Sequence, residues 1–294
     1  MEVKQKFKIE GYFDNFIEKY KDYPITFWCD YPVNFDQINP DRINLFFAHE
    51  PNELFGIHTW LVNGSWKMYD GVISWSKELV SNIGNGIEFP CSWRMNNDSC
   101  WEFLGDKKFE VTFLSGNKDI LKGHKLRLNI FNLKNKIKTP HRWYYVLEDW
   151  DPNTGTRPGY NEYSKDLSHL PKGFKFEPSI YGKKHLYQNS MFNVGVENLE
   201  HENWGSDRAW SCFASKVVPI YWGCPNLEEF GYDERGIIRF KDEKELLFIL
   251  NNLTEKDYYD RLPFIEHNYE INKTDTIEDK LSFVIDELIK LNNL

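Results

Sequence analysis

Short runs that are apolar from end to end, set between helical stretches, constrain this chain more than any other feature. PITFWCDY (24–31), INLFFAHE (43–50), GVISW (71–75), SMFNVGVEN (190–198) and VVPIYWG (217–223) each read as a short buried strand. Strands of that kind alternating with helices favour an α/β architecture. In open α/β sheets ligands sit at the carboxyl ends of strands. Loops that follow these runs are therefore the places to look for chemistry.

Further elements complete the alternation. Ser76 is placed to cap a helix over SKELVSNIG, with Glu78 in its first turn, and IEFPCSW (87–93) reads as another strand. Polar NNDSCWEFLGDKK (96–108) is the best boundary. Beyond it FEVTFLSG is a strand, NKDILKG a loop, HKLRLNIFNLKN a helix and RWYYVLEDW (142–150) a strand. Residues 151–178 form a long loop dense in Pro, Gly, Asn and Tyr, and 205–216 form a helix. KDEKELLFILNNL and IEDKLSFVIDELIKL are amphipathic helices that close the chain. Two domains are expected, residues 1–100 and 101–294 with the closing helices, and a ligand cleft between them.

Composition narrows the function. A net charge of -9 argues against a broad nucleic-acid-binding face, while leaving room for a local basic pocket. Aromatic residues reach 17%, enough for a thick core and also suited to stacking on sugars or bases. The 5 cysteines are odd in number and lack zinc-ligand spacing, so reduced thiols in the cytoplasm are expected. No signal-peptide core and no bilayer-spanning apolar run is present in the sequence.

The segment from Val196 to Asn226 is the richest in chemistry. A strand ends in Glu197-Asn198, a polar loop follows, and a helix opens on Ser206, Asp207 and Arg208. Ser206 can cap that helix, leaving backbone N–H groups and the positive end of the dipole beside Arg208. A diphosphate suits such a place, because a guanidinium offers a rigid donor fork and fixed charge. Asp207 can accept from ribose hydroxyls and Trp204 can offer a flat face; an ordinary capped helix with a surface charge pair explains the same residues.

The string FNVGVENLEHENWGSDRAWSCFASKVVPIYWGCPN resembles the donor-binding region of the α-1,3/1,4-fucosyltransferases, glycosyltransferase family 10. That family shows a strand ending in Glu-Asn, an aromatic, then Thr-Glu-Lys opening a helix, then Pro-Ile/Val-Tyr-Trp-Gly. Here Ser206-Asp207-Arg208 replaces Thr-Glu-Lys and Trp204 stands where Tyr is common, so hydroxyl, carboxylate, cation and aromatic keep their order. FEVTFLSGNKDILKGHKLRLNIF resembles the family's first strand and helix of the donor domain, and LFFAHEPNELF its Glu-containing acceptor motif.

The resemblance implies two Rossmann-like domains facing a cleft, the GT-B arrangement, and inverting transfer of fucose from GDP-fucose to a glycan hydroxyl without a metal. It implies Glu50 as general base, with Glu53 in reserve. Arg127 and Arg208 become the diphosphate clamp, with Lys118 and Lys125 near the first. Glu197, Asn198, Trp204, Ser206 and Asp207 are the expected donor contacts, and Tyr221 and Trp222 the pocket floor. The same fold acting on another nucleotide sugar, or another acceptor including a modified nucleobase, is the alternative, as is a non-catalytic binding protein.

Other signals are weaker. Asp149 and Asp151 have the spacing of a metal-holding Asp-x-Asp pair, but acidic residues after strands are frequent. His58, His124 and His141 stand alone in sequence, and Cys224 reads as packing rather than a nucleophile.

Overall fold

The computed structural model describes residues 1–5, 14–89, 91–92, 105–116, 119–146, 188–274 and 277–291. The chain divides into two compact units. One comprises Met1–Ser92, Glu202–Trp204 and Thr276–Leu294; the other comprises Trp93–His201 and Gly205–Asp275.

The first unit is built on a five-stranded parallel sheet in chain order: β1 (Glu2–Gln5), β2 (Ile25–Cys29), β3 (Ile43–Ala48), β4 (Gly71–Ser74) and β5 (Gly86–Glu88). All residues of β2 and β4 are buried, as continuous apolar runs require. Register places Trp28 beside Phe46 and Phe46 beside Val72. Ile57, Leu61 and Leu79 close over that face. The opposite face carries Phe27 and Phe47, met edge-on by Phe16 at 5.6 Å and Phe89 at 5.8 Å. Ser76 caps helix Lys77–Ser81 by accepting from the Leu79 amide, as expected. The run 87–93, expected as one strand, is Gly86–Glu88 followed by a separate two-residue strand, Cys91–Ser92.

The division differs from the expected 1–100 and 101–294 at several places: the first unit's opening segment ends at Ser92, and Glu202–Trp204 joins that unit. The final helix, Ile277–Leu291, belongs to the first unit rather than to the second. Its anchor is Tyr20, whose hydroxyl lies 2.9 Å from the Ser282 carbonyl oxygen and 2.7 Å from Asp286 Oδ1. A single phenolic proton serves both acceptors. Amphipathic periodicity shows that a helix has an apolar face, not which sheet receives it.

The second unit has strands β6 (Lys108–Gly116), β7 (His141–Val146), β8 (Ser190–Val196), β9 (Val218–Trp222) and β10 (Ile238–Arg239). They lie parallel in the order β7-β6-β8-β9-β10. Renumbered from its first strand, that is 2-1-3-4-5, a doubly wound order whose topological switch point falls between β6 and β8. Phe192, Val194, Val218, Ile220, Trp210 and Phe213 form the centre of its core. None of the described helices is long and apolar enough to cross a membrane.

Replacing Tyr20 by Phe removes a hydrogen bond to a charged acceptor and leaves the ring in place. The expected loss is about 1.5 kcal/mol. A fall in the urea midpoint of the full chain, with the slope unchanged, is the measurement that checks it.

Candidate functional site

At the carboxyl edge of the second sheet, β8 runs straight into Glu197, whose backbone N–H donates to the Trp222 carbonyl at 2.9 Å. The Glu197 side chain is fully buried. Its two oxygens accept from the Ser206 hydroxyl and, at 3.0 Å, from the Tyr221 hydroxyl. The Tyr221 oxygen in turn accepts from the Cys224 N–H at 3.2 Å. One carboxylate thereby joins the end of β8, the start of helix Asp207–Ala214 and the loop after β9. Burial pushes the Glu197 carboxyl above its ordinary range, while the Ser206 hydrogen bond and the Arg208 charge pull the other way.

Two glycines permit this convergence. A Cβ at Gly223 would stand 2.2 Å from Glu197 Cγ, and one at Gly123 would stand 1.7 Å from the Glu197 carbonyl oxygen. Gly123 lies in the first turn of helix Lys122–Asn132, and its N–H donates to the Asn198 carbonyl at 2.9 Å. The helix start is therefore pressed against the residues that follow β8.

The arginines expected from sequence both reach this edge. Arg127 is buried in helix Lys122–Asn132, where Nε donates to the Gly123 carbonyl at 3.2 Å and its terminal nitrogen to Asn198 Oδ1. Arg208 is partly exposed and donates to the Leu114 carbonyl at 3.2 Å. Leu114 lies near the end of β6 and Asn198 just beyond β8, so the two guanidinium groups attach on either side of the switch point. Asp207 and Asn198 are partly exposed beside them.

Other assignments change. Ser206 stands at the N-cap, but its side chain makes no cap hydrogen bond, because the hydroxyl is committed to Glu197. Trp204 is 1% exposed and groups with the first unit, its ring 6.2 Å from that of Trp75. It belongs to a core and offers no flat face to a ligand here. Glu197 and Tyr221 are both 0% exposed and Trp222 only 3%, so they hold the edge together instead of forming a floor against the donor.

The sequence analysis missed two cations. Lys122 Nζ lies 4.9 Å from the Trp222 ring centre and 3.3 Å from Glu200 Oε2. Arg239, at the end of β10, stacks 5.0 Å from the Tyr221 ring and donates to the Cys224 carbonyl at 2.7 Å. Only the short Arg-containing stretch "RGIIRF" after β9 could have pointed to it. Lys125 is exposed, while Lys118, Asp149, Asp151 and the 151–178 loop lie outside the described residues. Among the described residues no His, Cys, Asp and Glu side chains cluster in a metal-binding group.

In the first unit, Glu50 follows β3 at the carboxyl edge and is partly buried, whereas Glu53 is exposed. The Glu50 N–H donates to Asp30, at 3.1 Å to Oδ1. His58 lies beside Trp75, ring centres 5.4 Å apart.

No family model and no curated protein matches this sequence. Solved structures do. An α-glucosyltransferase in complex with UDP-glucose and DNA containing an abasic site is similar at TM-score 0.55 and 14% identity, covering 96% of this chain and 90% of the other. Sucrose-phosphate synthase from Thermosynechococcus elongatus is similar at 0.54 and 13%, covering 95% and 76%. An α1,3-fucosyltransferase is similar more loosely, at 0.48 and 11%, covering 95% and 91%. At such identities the likeness is one of fold. The chain consists of two Rossmann-like parallel-sheet α/β units of the GT-B type found in glycosyltransferases.

Two outcomes test the architecture of this edge. Gly123→Ala drives a methyl into backbone that cannot move, with an expected loss of about 3 kcal/mol in a denaturation experiment. The raised Glu197 carboxyl makes the protonated form the more compatible one with folding. Its contribution is full below the ordinary value of 4.5 and is lost as pH rises through the folded value. Glu197→Gln removes that dependence, so its stability relative to the wild type improves as pH rises from 4 toward 7, which paired melting curves measure.

Proposed function

We propose that this protein is an inverting glycosyltransferase whose second unit holds a nucleotide-diphosphate sugar, with GDP-fucose as the donor and a glycan hydroxyl as the acceptor. The observation that carries the reading is the pair Arg127 and Arg208, anchored on either side of the β6/β8 switch point. Ligands of doubly wound sheets collect at that place. The resemblance of residues 190–226 to the fucosyltransferase donor region supports GDP-fucose over other donors.

The chemistry follows from charge. As the bond from the sugar to the diphosphate breaks, negative charge grows on the leaving oxygen. Guanidinium groups already fixed in place stabilise it without reorganisation. In this reading Arg127, held through Asn198, and Arg208 supply that charge, Asp207 accepts from a ribose hydroxyl, and no metal is required. Glu50 takes the proton of the attacking hydroxyl, the step that single-displacement inversion demands. The buried thiol of Cys212 and the odd number of cysteines support action in a reducing compartment, the cytoplasm.

Arg208→Ala is expected to weaken GDP binding roughly 10- to 100-fold, the loss of one charge-assisted diphosphate contact. Isothermal titration measures this, and the partly exposed position lets the variant fold. GDP-fucose hydrolysis should persist in EDTA. Stabilisation by UDP and not by GDP, or loss of turnover on chelation, would overturn the donor and the metal-free mechanism respectively.

A further inference from the structure

Beyond its last ladder hydrogen bond, β3 continues for two peptides that neighbouring strands do not hold by backbone alone. Side chains take over. In the peptide joining Ala48 to His49, the carbonyl accepts from Ser74 Oγ at 3.0 Å and the N–H donates to Asp30 Oδ1 at 2.9 Å. In the next peptide the His49 carbonyl accepts from Trp75 Nε1 at 2.7 Å, and the Glu50 N–H donates to Asp30 at 3.1 Å and 3.2 Å. Both peptide planes are thus gripped at both ends, from β2 on one side and from β4 on the other.

The gripping groups are themselves fixed. Asp30 is 4% exposed and Trp75 6%. The Asp30 N–H donates to the Phe47 carbonyl at 3.0 Å, and its φ of 47° is the left-handed region, uncommon for any residue but glycine. A strained backbone that persists is one that its surroundings over-determine, and such positions gather at functional sites. His49 Nδ1 is 3.8 Å from Asp30 Oδ2, too far for a hydrogen bond. Burial holds the His49 ring neutral, and the Asp30 carboxylate accepts from the two amides.

We propose that Asp30 and Trp75 are positioning residues for Glu50, holding the two peptides that lead into it so that its carboxylate has one place to be. This rests on the reading of Glu50 as the base. Proton transfer demands a base placed within hydrogen-bond reach of its proton, and displacement by about 1 Å lowers rates as much as 10²-fold. A clamp on the peptide carrying the base meets that demand.

The test uses the full chain, with GDP-fucose hydrolysis counted per GDP-binding site. Glu50→Gln should lower kcat at least about 100-fold with GDP affinity unchanged. Asp30→Ala should lower kcat roughly 30- to 100-fold with KM for GDP-fucose within about twofold. Asp30→Asn, which keeps one acceptor oxygen, should fall between Asp30→Ala and the wild type, and Trp75→Phe should lose about 5-fold by dropping only the indole donor. Adding Asp30→Ala to Glu50→Gln should cost nothing more, since a residue that acts through another has no effect once that other is gone. Losses that multiply in the double variant overturn the proposal, because a general structural role is additive. So do an inactive Glu50→Gln beside Asp30→Asn and Trp75→Phe at wild-type rates. An active Glu50→Gln, or a wild type that hydrolyses neither GDP-fucose nor UDP-glucose, removes the base reading and the clamp's role with it. If Asp30→Ala does not fold, Asp30→Asn and Trp75→Phe carry the same comparison.

Discussion

The buried carboxyl of Glu197 is the interaction on which the carboxyl edge of the second unit's sheet depends. A fully buried carboxyl is unfavourable in itself, and it is tolerated where every lone pair facing protein finds a donor. Ser206, Tyr221 and the nearby charge of Arg208 supply that environment. Because Glu197 and its partners come from three chain segments, satisfying one side chain fixes those segments relative to one another. Arg208 inherits its position from this arrangement, since it begins the helix that Ser206 introduces. Removing one partner leaves the buried carboxyl a donor short, and the shared carboxyl couples the contacts that meet on it.

The first unit solves the same problem with a different residue. There a buried Asp30 at the end of β2 ties down the end of β3 through two amides, while Ser74 and Trp75 hold the matching carbonyls. In the first unit a parallel strand outruns its ladder and side chains just beyond neighbouring strands replace the missing backbone partners; in the second, the backbone ladder runs on to Glu197 and side-chain hydroxyls meet its carboxyl. The first arrangement has a simple physical cause. Peptide groups leaving a sheet beneath buried aromatics cannot be solvated freely, so they need protein partners. Carboxylates suit this duty because one group accepts from two or more donors at once.

Much of this was legible in the sequence. Apolar runs located β2, β3, β4, β6, β8 and β9, and the closing periodicity gave Ile277–Leu291 to the residue. Arg127 and Arg208 were identified, and they do meet the same sheet edge. Less visible were the two-residue β10, helix Asp14–Tyr20, and helix Leu262–Thr274, whose buried positions include Asn268 and Asn272 and so hide its apolar stripe. The direction of a side chain was least legible. Ser206 bears the residue type and position of a cap, yet whether its hydroxyl turns to the helix or to Glu197 depends on a strand nine residues away in sequence and adjacent in space. Asp30 could not be singled out, because its significance lies in a positive φ and in two amides of another strand.

The Tyr-Trp-Gly ending of β9 shows how architecture explains residues that first suggest a ligand surface. Tyr221 brings a hydroxyl to a place with no solvent access, where it donates to Glu197 and accepts from Cys224. Phenylalanine has the same ring and would leave the carboxylate one donor short in a medium of low polarity. Trp222 lies under the Lys122 ammonium, and Arg239 covers the Tyr221 ring. Gly223 is required because Glu197 Cγ already occupies the space a side chain would need. The aromatic pair therefore contributes rigidity: it sets the loop after β9 and the start of the Arg208 helix against one carboxylate. Under the proposed function, cations that wait for a diphosphate in water gain most when they are held still beforehand, since the reorganisation has been completed during folding.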